Sequence, residues 1–346
     1  MSVPERLADH TTLRLGGPAR DWVVATTEAE LTAAVSAADA AGTPVLVLGG
    51  GSNLVVADEG FDGTVVEVAT RGIGSDLDGE EDDCACGGAM VTVAAGEPWD
   101  GFVAQAVERG WVGVEALSGI PGAVGATPIQ NVGAYGQDVS QTIAQVRVWD
   151  RTLRGVRTFA NADCRFGYRT SRFKVDPGRH VVLSVTFQLR QGTLAAPVAY
   201  AELARALGVD IGARAPMSEV REAVLGLRRG KGMVLDPDDH DTWSAGSFFT
   251  NPVVPAEELP EGAPSWPQGD GRTKTSAAWL IERSGYAKGY GAGAARLSTK
   301  HTLALTNRGG ATTAELLALA REIRDGVAER FGIRLVNEPV LVGTEL

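Results

Sequence analysis

The sequence lacks long apolar runs, which argues against a protein that spans a membrane. No apolar stretch approaches about 18 residues, the length that crosses a bilayer as a helix. The first nine residues, Met1–Asp9, also lack the apolar centre of a secretory signal. We therefore expect a cytoplasmic protein with no membrane partner.

Basic residues are too few and too scattered for a nucleic-acid surface. The 346 residues include 32 Lys and Arg against 43 Asp and Glu. The basic residues cluster only at Arg228, Arg229 and Lys231. Because phosphate backbones are bound by clustered cations, we expect no nucleic-acid partner, and an anionic small ligand would need a local basic site. The length allows two domains, or one large domain with an insert, and either can bury a full core. We also expect a monomer.

Cysteine and histidine are scarce, which argues against a metal site. The three cysteines, Cys84, Cys86 and Cys164, form no CxxC pair, and the first two follow an acidic stretch, Asp76–Asp83, that we expect to be a solvated loop. The four histidines show neither metal-ligand spacing nor a Ser-His-Asp arrangement. We predict no metal.

Helical and strand patterns alternate along the chain. Thr27 and Glu30 form a capping box before a helix that Gly42 ends, and Thr312 and Glu315 do the same for a final helix, 313–331. The prolines between residues 252 and 267 predict an irregular stretch. Other predicted helices are 99–109 and 218–229, and predicted strands are 45–48, 55–56, 65–68, 91–95, 145–149, 181–189 and 340–342.

A first glycine-rich segment, residues 49–53 (GGGSN), follows the predicted strand 45–48. Consecutive glycines allow close backbone approach and leave amide groups accessible, which suits a pyrophosphate. The segment lacks the lysine of a Walker loop and the GxGxxG spacing of a dinucleotide-binding turn. On spacing alone, a phosphate site and a plain tight turn both remain open.

A second glycine-rich segment, residues 119–136, combines glycines with apolar side chains. Ile120, Ile129 and Tyr135 could supply flat contacts, while the glycines expose amides, a combination that suits a large ligand with a diphosphate and a ring system. A flexible loop is the alternative. Pro121 and Pro128 argue for a stiff one.

Four ordered motifs together point to one family. They are the glycines that end at Asn53, residues 165–169 (RFGYR), residues 245–252 (AGSFFTNP) and residues 337–339 (NEP). In this order they resemble the UDP-N-acetylenolpyruvoylglucosamine reductases, flavoenzymes that make UDP-N-acetylmuramate, and the resemblance covers nearly the whole chain. It implies an α+β fold, with an FAD-binding domain of the PCMH (vanillyl-alcohol-oxidase) type built from two α+β subdomains and followed by a separate α+β substrate-binding domain.

The resemblance also implies domain boundaries. The FAD-binding domain would span residues 1–200, with subdomains of about 1–70 and 71–200. The substrate-binding domain would span 201–334, and residues 335–346 would form a C-terminal strand that carries Glu338.

The resemblance further implies which residues bind ligands. Lys231, a point charge suited to a diphosphate, lies in a sequence (RGKGM) that departs from the commonest family form. The segments around Tyr168 and Tyr200 look like the longer of two family types, in which a tyrosine-bearing loop covers the substrate. The implied substrate contacts are Tyr168, Tyr200, Lys231 and Asn251, and the implied FAD contacts are Gly49, Gly50, Gly51, Ser52, Asn53, Ile120, Pro121, Gly122, Gly125, Ala126, Thr127, Ile129, Gly133, Ala134, Tyr135 and Val182.

The implied reaction is the reduction of UDP-N-acetylglucosamine enolpyruvate for peptidoglycan synthesis, with FAD as cofactor and NADPH as co-substrate that leaves before the sugar binds. Flavin N5 would deliver the hydride. Arg169, whose planar fork suits a carboxylate, would stabilise the enolate together with Glu338, which must be protonated or donate a hydrogen bond there. Ser247 would donate the proton. Taken alone, Arg169 would indicate an ion pair and Ser247 a turn hydroxyl.

Two other functions remain open on the sequence. One is an FAD-dependent oxidase of a small alcohol or sugar, which would usually need a substrate domain of another type and would be reoxidised by oxygen. The other is an inactive flavin-binding or UDP-sugar-binding protein, in which replacing Ser247 would have no kinetic consequence.

Overall fold

The computed structural model describes residues 4–76 and 88–346 and divides into two compact units. The central unit, named for its place in the sequence, comprises Arg20–Gly50 and Asp62–Gly230. The terminal unit comprises the chain up to Ala19, Gly51–Phe61 and Lys231–Leu346. Most of the predicted acidic loop, with Cys84 and Cys86, lies outside the described residues. Among the helices described, none is long and apolar enough to cross a membrane.

Capping boxes begin the two helices for which the sequence predicts them. Thr27 and Glu30 form a capping box at the first helix, and Thr312 and Glu315 form one at the last. In chain order the helices are α1 Glu28–Ala40, α2 Trp99–Glu108, α3 Arg172–Val175, α4 Ala201–Leu207, α5 Met217–Gly230, α6 Ala277–Arg283 and α7 Thr313–Phe331.

The strands are mostly short, apart from three of eight residues or more. In chain order they are β1 Ala19–Ala25, β2 Val45–Leu48, β3 Leu54–Val56, β4 Phe61–Val68, β5 Ile73–Ser75, β6 Ala89–Ala94, β7 Trp111–Val112, β8 Gly133–Ala134, β9 Gln137–Asp138, β10 Ile143–Asp150, β11 Gly155–Ala160, β12 His180–Gln191, β13 Val253–Pro255, β14 Ser265–Pro267, β15 Arg272–Thr275, β16 Ala295–Leu297, β17 Leu305–Asn307 and β18 Val340–Val342.

The central unit is built on an antiparallel sheet in the order β11-β10-β12-β6-β5, with β7 beside β12. Seven consecutive residues of β12 are buried, so that both faces of this strand are covered. Trp99 and Phe102 of α2 pack with Phe187 of β12 in the main core. A second sheet has the order β1-β4-β2.

The terminal unit packs its short sheets and helix α7 around one core. Leu316, Ile323 and Val327 of α7 are fully buried, and Phe248 and Phe249 lie in the same cluster. Strand β18 pairs in parallel with β3, so the chain's last strand is joined to the segment 51–61.

The structure differs from the sequence prediction between residues 252 and 267. We predicted an irregular stretch, but it contains β13 and β14, the edge strands of a sheet in the order β13-β15-β14. Pro255 and Pro267 end the two edge strands, where a missing N–H is tolerated, and the central strand β15 contains no proline.

The compact units also divide the chain at different places from the predicted boundary at 200/201. Helices α4 and α5 belong to the central unit because Leu203, Val220 and Val224 pack in one cluster with Val112 and Ala116. The start of the chain belongs to the terminal unit, whose core includes apolar residues at positions 13, 15 and 55.

Candidate active site

Part of the first glycine segment lies directly against the second segment within the central unit. A Cβ atom added to Gly50 would lie 2.6 Å from the Cα atom of Gly122, so the two turns meet backbone to backbone. At Gly49 an added Cβ would make an ordinary contact of 3.4 Å with Ala123. Residues 49 and 50 therefore pack on the second segment, and the close approach of the two backbones excludes a side chain at position 50.

The rest of the first segment, residues 51–53, belongs to the terminal unit. Gly51 has a φ of 57°, the left-handed region that glycine tolerates, and an added Cβ would collide with the carbonyl oxygen of His10. The side-chain amide of Asn53 donates a hydrogen bond of 3.4 Å to the backbone oxygen of Glu338. Asn53 therefore joins the first segment to the NEP motif.

The second segment is tied to the body of the central unit, as its prolines suggested. The amide of Gly125 donates to the backbone oxygen of Ala95 at 2.8 Å, and Thr127 is 2% exposed with its hydroxyl bonded to Val124. Val182, also predicted to contact FAD, lies in the main core of this unit and is 6% exposed. FAD contacts at Thr127 and Val182 therefore stay predictions for largely interior residues.

Arg169 lies at the tip of a tight turn that is held against the second segment. Two backbone hydrogen bonds between Gly167 and Thr170 close the turn, and Arg169 has a φ of 53°, where glycine is the usual residue. Its guanidinium Nη2 donates to the backbone oxygen of Gly133 at 2.9 Å. The predicted catalytic arginine and the predicted flavin loop are therefore in direct contact.

Two further residues fix this contact, and the sequence did not single them out. The side-chain amide of Asn131 donates to the backbone oxygen of Gly167 at 3.1 Å. The hydroxyl of Ser171 donates to the backbone oxygen of Ile129 at 2.5 Å. Asn131 has a φ of 48°, a conformation that asparagine adopts more readily than most residues.

A second guanidinium adds positive charge near Arg169. Burial, the largest cause, and the charge of Arg169 together lower the pKa of Arg228, on helix α5, to about 10, although Tyr135 and Asp100 act in the opposite direction. Tyr168 lies 5.9 Å from the Arg169 guanidinium, measured to the ring centroid, and is 45% exposed. An anionic ligand group beside two such cations would be stabilised, so this is a local basic site of the kind that an acidic protein needs.

The remaining two predicted catalytic residues lie on adjacent segments of the terminal unit. The amide of Glu338 donates to the backbone oxygen of Phe248 at 2.8 Å, and Phe249 pairs with Asn337 in an antiparallel bridge. Phe248 and Phe249 are each 1% exposed and anchor the segment, whereas Ser247 and Glu338 are partly exposed. The structure therefore places the residues predicted as proton donor and carboxyl group on two extended segments that are bonded to each other.

The predicted substrate contacts are distributed over both units. Asn251 accepts a hydrogen bond of 3.0 Å from the amide of Ala277 at the start of α6. Lys231 is the first residue of the last segment of the terminal unit, and its side chain is partly exposed. Tyr200, in the central unit, is 46% exposed and contacts Tyr135 with its ring perpendicular, at 5.6 Å between centroids. That Arg169 of the central unit shares one site with Ser247 and Glu338 stays a prediction.

Comparisons with known proteins match two domain models to separate parts of the chain. A model described as an FAD binding domain matches residues 21–155, and the C-terminal domain model of UDP-N-acetylenolpyruvoylglucosamine reductase matches 236–342. The chain is 59% identical to the UDP-N-acetylenolpyruvoylglucosamine reductase of Cutibacterium acnes over 97% of this chain and 89% of the relative. The corresponding identity is 49% to reductase 2 of Corynebacterium glutamicum, over 98% of this chain and 93% of the relative.

A solved structure extends this similarity to the whole fold. The crystal structure of the Thermus caldophilus UDP-N-acetylenolpyruvylglucosamine reductase matches with a TM-score of 0.65 and 27% identity, over 99% of this chain and 100% of that one. The predicted α+β fold, an FAD-binding domain followed by a separate C-terminal domain, is confirmed.

Proposed function

Since the chain belongs to the UDP-N-acetylenolpyruvoylglucosamine reductases, which are FAD-dependent oxidoreductases, we propose that it reduces UDP-N-acetylglucosamine enolpyruvate to UDP-N-acetylmuramate with NADPH. Because of this membership we favour the reductase over the two other functions that the sequence left open, an FAD-dependent oxidase and an inactive binding protein. We further propose that it acts as a monomer in the cytoplasm, in the synthesis of peptidoglycan precursors.

The observation that carries the proposal is the contact of Arg169 with the second glycine segment. Gly50 packs directly on the backbone of that segment, and we expect the glycines of these two turns to hold the flavin nucleotide through their backbone amides. When bound, FAD supplies the hydride that neither protein side chains nor the substrate can provide. The hydrogen bond from Arg169 to Gly133 keeps a permanent positive charge beside the residues that would hold the cofactor.

The charged residues have distinct roles in the proposed reaction. The guanidinium of Arg169 would pair with the substrate carboxylate and stabilise the enolate as negative charge develops on it. Glu338 would donate a hydrogen bond to the same oxygen atoms in its protonated form, since an ionised carboxylate would repel them. Lys231 would contact the diphosphate, and Tyr168, Tyr200 and Asn251 would hold the rest of the substrate.

Ser247 would deliver the proton to the carbon that does not receive the hydride. A serine hydroxyl is a weak acid, so this role requires a strongly basic enolate and a fixed hydroxyl position. The buried pair Phe248 and Phe249 provides that fixed position, because both rings are anchored in the core of the terminal unit immediately after Ser247.

Anaerobic mixing of the purified flavoprotein with NADPH tests both half-reactions. NADPH should bleach the flavin absorbance, and the enolpyruvyl substrate should restore it with formation of UDP-N-acetylmuramate. Ser247→Ala should retain bleaching and lower the rate of product formation by about 10²- to 10⁴-fold. Ser284→Ala, a serine of the same unit at the end of α6, is the matched control and should behave like the wild type. Recovery of absorbance with oxygen but not with the enolpyruvyl substrate would contradict the proposal.

A further inference from the structure

A carboxylate with no role in the proposed reaction lies fully buried in the central unit. Glu115 is 0% exposed and accepts hydrogen bonds from the amide of Gly113 at 2.7 Å, the side chain of Gln137 at 3.0 Å and the amide of Ala196 at 2.7 Å. Burying a carboxylate is costly unless its oxygen atoms are hydrogen-bonded, and these three donors supply the compensation.

These hydrogen bonds join three separate parts of the chain. Glu115 belongs to the turn after β7, Gln137 to the hairpin β8–β9, and Ala196 to the segment that leads to α4. A single oxygen, Oε1, accepts from both Gln137 and Ala196, and Gln137 in turn accepts from the amide of Ala116 at 2.8 Å. Glu115 therefore fixes the hairpin and the segment relative to each other.

The hairpin and the segment each carry a tyrosine, and the two rings touch. Tyr135 lies at the turn of the hairpin, Tyr200 lies at the end of the segment, and their rings meet edge to face. Beside them, a Cβ atom added to Gly136 would lie 2.9 Å from that of Ala199, so the hairpin packs directly on the residue before Tyr200. The base of the segment is fixed on its other side as well, because the buried Val198 donates its amide to the backbone oxygen of residue 213.

We propose that Glu115 is a positioning residue for the substrate. By holding Gln137 and Ala196 on one carboxylate oxygen, it sets the place of Tyr200 against Tyr135 and thereby the affinity for the UDP-sugar. The inference rests on the proposed function, in which Tyr200 contacts the substrate. It assigns to Glu115 no contact with substrate or cofactor.

Two substitutions of Glu115 remove different numbers of these hydrogen bonds. In Glu115→Gln the amide oxygen can take the place of Oε1 and keep both Gln137 and Ala196, while only the bond to Gly113 is lost. Glu115→Leu removes all three acceptors. We therefore expect the KM for the enolpyruvyl substrate to change by less than about 3-fold in the glutamine variant and to rise by about 10-fold or more in the leucine variant.

A double-mutant cycle with Tyr200→Ala shows whether the effect passes through Tyr200. KM and kcat for the enolpyruvyl substrate, flavin content and the rate of flavin reduction by NADPH are measured for the holoenzymes. Glu115→Leu should raise KM in the wild-type background but by less than about 2-fold in the Tyr200→Ala background, because coupled residues are not additive. If the leucine variant does not fold, Gln137→Met, which removes one donor and leaves the carboxylate, takes its place in the cycle.

Asp150→Asn is the matched control, because Asp150 is also a 0% exposed carboxylate of the central unit that accepts from backbone amides. It should lower the melting temperature without a change in KM. An equal rise of KM in both Tyr200 backgrounds, or a loss of stability with an unchanged KM, would overturn the inference. A wild-type protein that does not turn over the substrate would instead overturn the proposed function.

Discussion

Replacing Gly50 with alanine should weaken FAD binding, whereas the same replacement at Gly49 should have little effect. Neither glycine has a positive φ, so the backbone accepts alanine at both positions and the difference is purely steric. At Gly50 the new methyl group would lie 2.6 Å from the Cα atom and 3.0 Å from the carbonyl carbon of Gly122. At Gly49 the nearest atom would be 3.4 Å away, which is an ordinary contact.

The expected loss of FAD affinity in Gly50→Ala depends on which atoms must move to make room for the methyl group. The atoms opposite position 50 belong to the backbone, so rotation of a side chain cannot relieve the overlap and the two turns must separate. Overpacking of this kind costs roughly 1–3 kcal/mol. If the separation opposes the arrangement that binds FAD, the dissociation constant should rise by roughly 5- to 150-fold, since about 1.4 kcal/mol corresponds to a factor of ten.

The assay is a titration of FAD-free protein with FAD, followed by flavin fluorescence, for the wild type and both variants. Melting temperatures without FAD show whether each variant is folded. Wild-type affinity in Gly50→Ala would refute the steric reasoning. An equal loss of FAD affinity in both variants would also refute it. Both methyl groups would then act by touching the ligand, and the close approach of the two turns at Gly50 would not be the cause.

Three further predictions concern charge and burial. Arg169→Lys keeps the charge but loses the planar fork, so turnover of the enolpyruvyl substrate should fall by about 10²- to 10³-fold. The rate of flavin reduction by NADPH, measured in stopped flow, is the reference against which this fall is judged. A hydrogen bond from Arg179 holds the pKa of Asp150 below its usual value. Its contribution to stability is therefore present above about pH 4 and lost as the pH falls, and the difference in free energy of unfolding between wild type and Asp150→Asn should shrink from pH 7 to pH 3. Burial raises the pKa of Cys164 to about 12. In a variant whose other two cysteines are serine, a thiol reagent at pH 8 should react roughly 10³-fold more slowly with native than with unfolded protein.

The parts of the fold that could be predicted from sequence depend on nearby residues. Helices α1 and α7 begin at capping boxes whose partners lie three positions apart, so the signal is complete within one turn. The sheet β13-β15-β14 could not be predicted because prolines at the ends of edge strands look the same in sequence as prolines of a loop. The packing of α5 could not be predicted either, because Val220 and Val224 contact a region about a hundred residues earlier in the chain.

The candidate site also contains residues that the sequence could identify and residues that it could not. The residues proposed to take part in the reaction, such as Arg169 and Ser247, stand in motifs that can be recognised. Glu115, Asn131 and Ser171 each make a hydrogen bond to a backbone group of a distant segment, and no local pattern marks such a bond. A residue whose partner is a backbone group can be identified only after the fold has brought the two together.

The turn that carries Arg169 shows what these distant bonds accomplish. A non-glycine residue in the left-handed region costs about 1–2 kcal/mol, so the turn would not favour this conformation by itself. Three hydrogen bonds, from Arg169, Asn131 and Ser171, connect the turn to the second glycine segment, and at about 1 kcal/mol each they outweigh that cost. The conformation of Arg169 is therefore set by the glycine segment. We therefore expect a ligand bound at this segment to help fix the position of the guanidinium as well.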